Sequence, residues 1–318
     1  MEKVDQPLVS VVMSVFDENF LSEAIDSILG QSYNNFEYII INDNPNNDSL
    51  KLVLEQYAAK DSRIVLIENE KNLGLGASLN RGLSVAQGKY IARMDSDDIS
   101  LPARLAKQVE YLESHNEVDL LGTWTKRIDE NGQELGIMRF PNKHDILAEM
   151  LKFTSATVHP TWMFRAEVLD ELEGYRPFPV AQDYDFMYRM VDKGLKISNL
   201  QEVFLLYRVT TRNLSVKNFM KQWRCRLYIY RLHCERLKRA GDSFSEDTMQ
   251  QVLDINPLHK YIYNLSHFYF EKSANLKRNG SFIQAIIFLI ISVLIYPGKL
   301  KVLYGAFRSR LLMRQAGL

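Results

Sequence analysis

Cysteine is nearly absent from this chain: its 318 residues include only Cys225 and Cys234, with no C-x-x-C spacing. That pattern excludes a disulfide framework and a cysteine-based zinc site, and it suits a reducing compartment. The opening "MEKVDQPLVS" lacks the basic-then-apolar pattern of a secretory leader, so a cytoplasmic location is expected. Long apolar runs are missing too. A spanning helix needs about 20 apolar residues, and the best run, starting at Phe282, is shorter and is interrupted by Gln284 and Ser292. There is no internal repeat, no low-complexity linker and no excess of charge: 39 Lys and Arg balance 39 Asp and Glu. A nucleic-acid partner, which would leave a basic footprint, is not expected.

The balance conceals a division. Residues 1–214 carry 22 basic against 33 acidic side chains, and residues 215–318 carry 17 against 6. From residue 272 to the end there are eight Lys or Arg and no acid. The chain exceeds the usual size of a single core, so a large first unit and a smaller, helical, basic and aromatic second one are expected, meeting near Ser215.

In the first 120 residues, short apolar runs alternate with segments of helical period. "LVSVVMSV" reads as a buried strand, and Leu21, Ala24, Ile25, Ile28 and Leu29 form a helical stripe. "EYIIIN", "SLKLVLEQYAAK", "RIVLIE", "GASLNRGLSVAQ" and "YIARM" continue the alternation. This βαβ order predicts a Rossmann-like, mostly parallel sheet with flanking helices, whose ligands bind at the carboxyl ends of the strands. Further on, the pattern predicts a helix from Pro102, strands joined by a turn at Asn131-Gly132, a helix over 143–152, and a helix opening near Asp183.

Two acidic loops fall at such strand ends, "NDNPNND" and "DSDD". In the second, "KYIARMDSDDISLP" runs an apolar strand straight into Asp95, Asp97 and Asp98. Two carboxylates about 4 Å apart repel by roughly 4 kcal/mol at an effective dielectric of about 20, so the cluster requires a cation or open water. A solvated turn is the plain alternative.

Taken in order, "SVVMSVFDE", "SILGQSY", "IIINDNPNND", "NLGLGASLNRGL", "GKYIARMDSDDISLPARL", "HPTWMFR" and "QDYDF" resemble the family 2 glycosyltransferases, which have the glycosyltransferase A-type fold. The resemblance spans roughly residues 7–210. It implies that residues 1–214 bind a nucleotide sugar and catalyse its transfer, with inversion, to a hydroxyl of a glycan or lipid-linked glycan. By the same resemblance Asp95, Ser96 and Asp97 form a D-x-D element. With Asp98 beside it, this element would hold Mn²⁺ or Mg²⁺ against the diphosphate of a nucleoside-diphosphate sugar. Asp43 would accept the N3–H of a uracil, making the donor a UDP-sugar. Val15, Asn72, Gly74 and Arg93 would line the nucleotide, Arg93 as a cation, with a surface salt bridge as its plain alternative. Asp183 would be the general base.

Several positions depart from the family pattern: Asn42 and Pro45 beside Asp43, Leu79 where many relatives carry Arg, and Gln182 where Glu is customary. Asp43 could instead shape its turn or cap the next helix, although Asp48 or Ser49 is the better cap; Asp183 could cap its own helix. His159 and Trp162 match a segment that lines the acceptor side in relatives, yet a lone histidine is more often structural. "KQWRC" fails the spacing of the processive-synthase motif, which favours single addition. Sugar-phosphate nucleotidyltransferases share the sheet but open on a Gly- and Arg-rich loop that is missing here. A catalytically silent scaffold subunit is opposed by the presence of Asp95, Asp97 and Asp183 together. In the second region, the apolar run followed by Lys299, Lys301, Arg308, Arg310 and Arg314 predicts either a peripheral anchor on the cytoplasmic face of an anionic membrane or a helix docked on the first domain.

Overall fold

The computed structural model describes residues 6–210 and 219–318. The first strands and helices alternate as the pattern predicts: β1 (Val9–Val15), α1 (Leu21–Leu29), β2 (Phe36–Asn42), α2 (Asp48–Lys60), β3 (Ile64–Glu68), α3 (Leu75–Leu83) and β4 (Tyr90–Arg93). β1 pairs in parallel with β2 and β4, and β2 with β3. Side-chain alternation sorts this half-sheet into two cores. Val12, Ile39, Ile41 and Ile91 face one way, and Val11, Met13, Tyr38, Ile40 and Ala92 face the other. Strands covered on both faces need apolar residues throughout, which is why they read as continuous runs. α3 lies close on the sheet because it presents Gly82, where an added Cβ would stand 2.6 Å from Val12 Cγ1 and 2.7 Å from Ile41 Cδ1.

Past β4 the sheet becomes mixed. Next come β5 (Ile99–Ser100), α4 (Arg104–Ser114), β6 (Leu120–Ile128), β7 (Glu134–Met138), α5 (His144–Leu151), a 3₁₀ turn at His159–Thr161, β8 (Met163–Arg165), α6 (Val168–Leu172), α7 (Gln182–Asp192) and β9 (Ile197–Arg208). The strand order is β3-β2-β1-β4-β8-β6-β9-β5, with β7 paired to β6. β8 enters antiparallel between β4 and β6, so the parallel character expected from sequence belongs to the first half, and β6 with β9. The β6–β7 hairpin turns at Asn131-Gly132, with Gly132 at φ 79°.

The second region is helical: α8 (Phe219–Arg236), α9 (Glu246–Leu253), α10 (Pro257–Arg278), α11 (Phe282–Ile295) and α12 (Lys299–Gln315). Its expected start at 214/215 lies outside the described residues. α8 buries Cys225, Tyr228, Ile229 and Leu232 in the core shared with α7. α10 and α11 form a hairpin whose seam is small and polar: Ser266 Oγ donates to the Ser292 carbonyl at 2.9 Å and Ser273 Oγ to that of Ala285 at 2.7 Å. α12 docks on α5, where Leu312 meets Phe140 and Met150. No helix among the described residues is long and apolar enough to cross a membrane.

Candidate active site

The acidic loop leaves the carboxyl end of β4. There the chain is held on both sides, by Arg93 N–H on the Trp162 carbonyl at 2.8 Å and Met94 N–H on that of Val12 at 3.2 Å. Carboxylate oxygens of Asp95, Asp97 and Asp98 lie within 4.8 Å of one another. Three buried arginines brace them. Arg93 is ion-paired to Asp95, while its Nε and Nη1 have no partner. Arg104 donates to the Arg93 carbonyl at 2.6 Å. Arg208, at the end of β9, donates its N–H to Asp98 Oδ1 at 2.8 Å and its Nε to the Asp97 carbonyl at 2.9 Å. Its Nη2 reaches Glu23 at 2.9 Å, and the guanidinium lies 4.0 Å from the centre of the Phe20 ring.

Of the three, Asp95 is the one with a guanidinium directly on its carboxylate among the described residues. Burial and the Asp95 charge push Asp97 up to about 7. Burial, then Asp95 and Asp97, push fully buried Asp98 well above the usual carboxylate range. Asp98 Oδ2 has no hydrogen-bond partner. A hard divalent cation with oxygen ligands about 2.0 to 2.6 Å away fits the spacing, the orphaned oxygen and the shortage of positive charge.

Asp43 is buried one residue beyond β2, its own N–H on the Val15 carbonyl at 2.8 Å. Oδ1 accepts from Asn69 Nδ2 at 2.7 Å and Leu73 N–H at 2.8 Å, and Oδ2 from Gly74 N–H at 3.0 Å. A carboxylate has about four acceptor sites, so one remains on Oδ2. Gly74, at φ 80°, supplies the left-handed turn that aims this N–H and opens α3. Asn72 is exposed in the same loop. Asp43 does not cap α2; Asn47 does, its side chain accepting from Leu50 N–H at 3.1 Å, one residue ahead of the expected cap.

Asp183 sits in the first turn of α7, whose N-cap Ala181 adopts φ 61° and gives no side-chain cap. Asp183 is therefore not the cap. Burial pushes its carboxyl up; backbone N–H groups at the helix head and Arg226 pull it down, and Asp95 adds to the rise. The loop that ends at Gly74 and this helix approach one another through α3: Asn80 exchanges hydrogen bonds with the backbone of Tyr175 at 2.7 and 2.8 Å, and Gly76 packs on Gln182. The Tyr175 phenol is pushed up by burial, with Asp183 and Asp95 both contributing. The strand-end acids and Asp183 thus share one electrostatic neighbourhood.

Other expectations change. His159 is buried, its Nε2 2.7 Å from the Tyr175 hydroxyl and its ring edge-on to Trp162. Burial keeps the imidazole well below its ordinary pKa and hence neutral. Trp162 is sealed in the core, so both side chains support the site from beneath. Arg93 is 2% exposed, which removes the reading of a surface salt bridge. Asp185, fully buried, pairs with Arg189 at 2.8 Å. The residue that sequence reasoning missed is Arg208, because nothing local announces a strand end seated under the acidic loop.

The fold and the acids at the end of β4 are of the kind found in glycosyltransferases, and the comparisons with known proteins agree. The family model "Glycosyl transferase family 2" matches residues 10–173, and the chain belongs to that family. An uncharacterised glycosyltransferase of Methanocaldococcus jannaschii is 39% identical over 241 residues, 74% of this chain and 82% of its own length. The O-antigen biosynthesis glycosyltransferase WbnJ of Escherichia coli is 33% identical over 227 residues, 70% and 88% of the two chains. Among solved structures, S. aureus TarS in complex with UDP-GlcNAc superimposes with a TM-score of 0.60 at 18% identity, covering 97% of this chain and 90% of its own. The mannosyltransferase PcManGT of Pyrobaculum calidifontis, in complex with GDP-Man and Mn²⁺, gives 0.56 at 16% identity, covering 99% and 87%. The likeness establishes the glycosyltransferase A-type fold, and the chain is a glycosyltransferase.

Proposed function

We propose that this enzyme transfers a sugar from a nucleoside-diphosphate sugar, a UDP-sugar, to a hydroxyl of a glycan or lipid-linked acceptor in cell-surface polysaccharide assembly, with inversion at C1. The observation that carries the reading is the convergence of two acidic groups with different tasks on one neighbourhood. Asp95, Asp97 and Asp98 would hold Mn²⁺ or Mg²⁺, which supplies positive charge against the diphosphate. Asp183, at the head of α7, takes the proton of the acceptor hydroxyl as its oxygen bonds to C1; the bond from C1 to the diphosphate oxygen breaks, and the nucleoside diphosphate leaves with the electron pair. The last acceptor site of Asp43 Oδ2 suits a uracil N3–H, and Val15, Asn72 and Gly74 supply the backbone around the base.

The partner surface belongs to the same reading. Phe282, Ile283, Ile286, Ile290 and Leu294 stand exposed on one face of α11, next to a region without acids. A lipid surface of anionic headgroups on the cytoplasmic side fits both properties. The α10–α11 seam, built on serine-to-carbonyl bonds and small residues, is of the kind that holds helices together where water is excluded.

The test is a thermal-shift screen of UDP-, GDP-, dTDP- and CMP-sugars with and without Mn²⁺. Native-state binding raises the melting temperature by mass action. A UDP-sugar that stabilises only with the ion, followed by UDP release, is the expected result. Full turnover after exhaustive chelation, or a product that retains configuration, overturns the metal or the inversion respectively.

A further inference from the structure

The base-bearing helix is fastened from outside the first region. On α7, Asp185 binds Arg189 and lies 3.8 Å from Arg176, and Arg176 binds Asp242 at 2.9 Å. Asp242 also pairs with Arg236, whose Nε meets Asp192 at the far end of α7 at 2.5 Å. His233 Nδ1 meets the other oxygen of Asp192 at 2.5 Å. Arg226, on α8, donates to the Tyr184 hydroxyl at 3.0 Å and lies 4.3 Å from the centre of that ring. Arg226, His233, Arg236 and Asp242 all come from beyond β9, in α8 and the loop that follows it.

Two features give this network a task beyond cohesion. The head of α7 has no side-chain cap, so its orientation depends on what grips Asp185 and Tyr184. Asp242, 3% exposed, stands between two guanidinium groups that reach opposite ends of the helix. A buried carboxylate in that position fixes a distance, because removing it takes away the anion between two arginines, each of which then holds only to its own end of the helix.

We propose that Asp242 is a positioning residue for Asp183, and that α8 and the loop after it form part of the catalytic machinery. The proposal rests on the reading of Asp183 as the base. A reacting group displaced by about 1 Å can cost about 10²-fold in rate. In the full-length protein, Asp242→Asn is expected to lower donor turnover, read as UDP released with water as acceptor, by tenfold or more. The donor KM and the UDP-induced thermal shift in Mn²⁺ should stay within twofold. Hydrogen exchange should speed up in peptides covering 182–192 and stay unchanged over 36–43 and 89–98. Asp242→Glu should restore most of both, and Arg308→Met, which removes the 3.5 Å pair between α12 and Glu149 of α5, should change neither. Where Asp242→Asn yields no folded protein, Arg236→Lys keeps the charge, loses the fork and reports the same quantities. Unchanged exchange in α7, loosening spread evenly over the chain, or a loss confined to KM overturns the proposal. Asp183→Asn separates the two readings: full turnover in that variant removes the base, whereas the exchange of α7 in Asp242→Asn still reports the coupling.

Discussion

Asp97 illustrates how far a residue can be read before its surroundings are known. Its clustering with Asp95 and Asp98 is plain in "DSDD". That Arg93 and Arg208 would be buried beneath, one pairing with Asp95 alone and the other bonding through its backbone N–H and a carbonyl, is not, since those partners meet only in the folded sheet. The arrangement has a pH signature. With Asp97 raised to about 7, the metal-free site retains a proton below that value, and a cation must displace it. Mn²⁺ affinity measured by calorimetry should climb by about tenfold or more per pH unit below 7, and the rise should end only when Asp98, also held above the usual carboxylate range, has lost its proton as well. Asp97→Asn should weaken binding and lower the slope. His159 carries a second signature of different origin. Its folded pKa lies below the unfolded value of about 6.5, so the folded state resists protonation. The stability it contributes is complete above about 6.5 and declines as pH falls towards the folded value. Urea midpoints of wild type and His159→Gln should converge over that interval; a constant gap would refute the assignment.

At the level of elements, the parallel half was legible because each strand and helix carries its own period. β9 was not: Gln201 and Glu202 are exposed midway along it, and its pairing with β6 shifts register twice near Trp124. Its β6 partners lie nearly eighty residues upstream, beyond any local pattern. The cap of α2 was misplaced by one position because "NNDS" offers four polar residues with the chemistry to cap. Asn47→Ala should cost about 1 kcal/mol in denaturant unfolding, and Asp48→Ala clearly less. The fit of α3 on the sheet is stricter. Gly82→Val, with backbone and core atoms already in contact, should destabilise by about 1 to 3 kcal/mol. A neutral result would mean that α3 can lift from β1 and β2.

For the molecule as a whole, the division of charge was visible in composition, and the helical second region follows it. What composition hid is the depth of the attachment: α8 shares the core of the first region, and its ion pairs reach α7. A boundary drawn from charge alone therefore cuts through one packed body of side chains. The later helices are a different matter, since α11 touches mainly α10 and presents its apolar face outward. Truncation after Asn279 should release the protein from anionic liposomes in a sedimentation assay while preserving UDP binding. Salt should weaken the attachment of the full chain only in part, because about 1 kcal/mol for each basic residue is screened and apolar insertion is not. Failure of the full chain to bind liposomes of any composition, with unfolding of the truncated one, would make the tail a packed structural element.

The outward face of α11 has a practical consequence for handling the protein. In plain buffer, Ile283 and Leu294, each at least three-quarters exposed, have no lipid to enter, and the cheapest way to leave water is to meet the same face of a neighbouring molecule. The apparent mass on a sizing column should rise with loading concentration, and a mild detergent below its denaturing range should restore the monomer. Colloidal behaviour at the bench would then be the dilute image of adsorption to a bilayer, and Ile283→Lys with Leu294→Lys should abolish both at once.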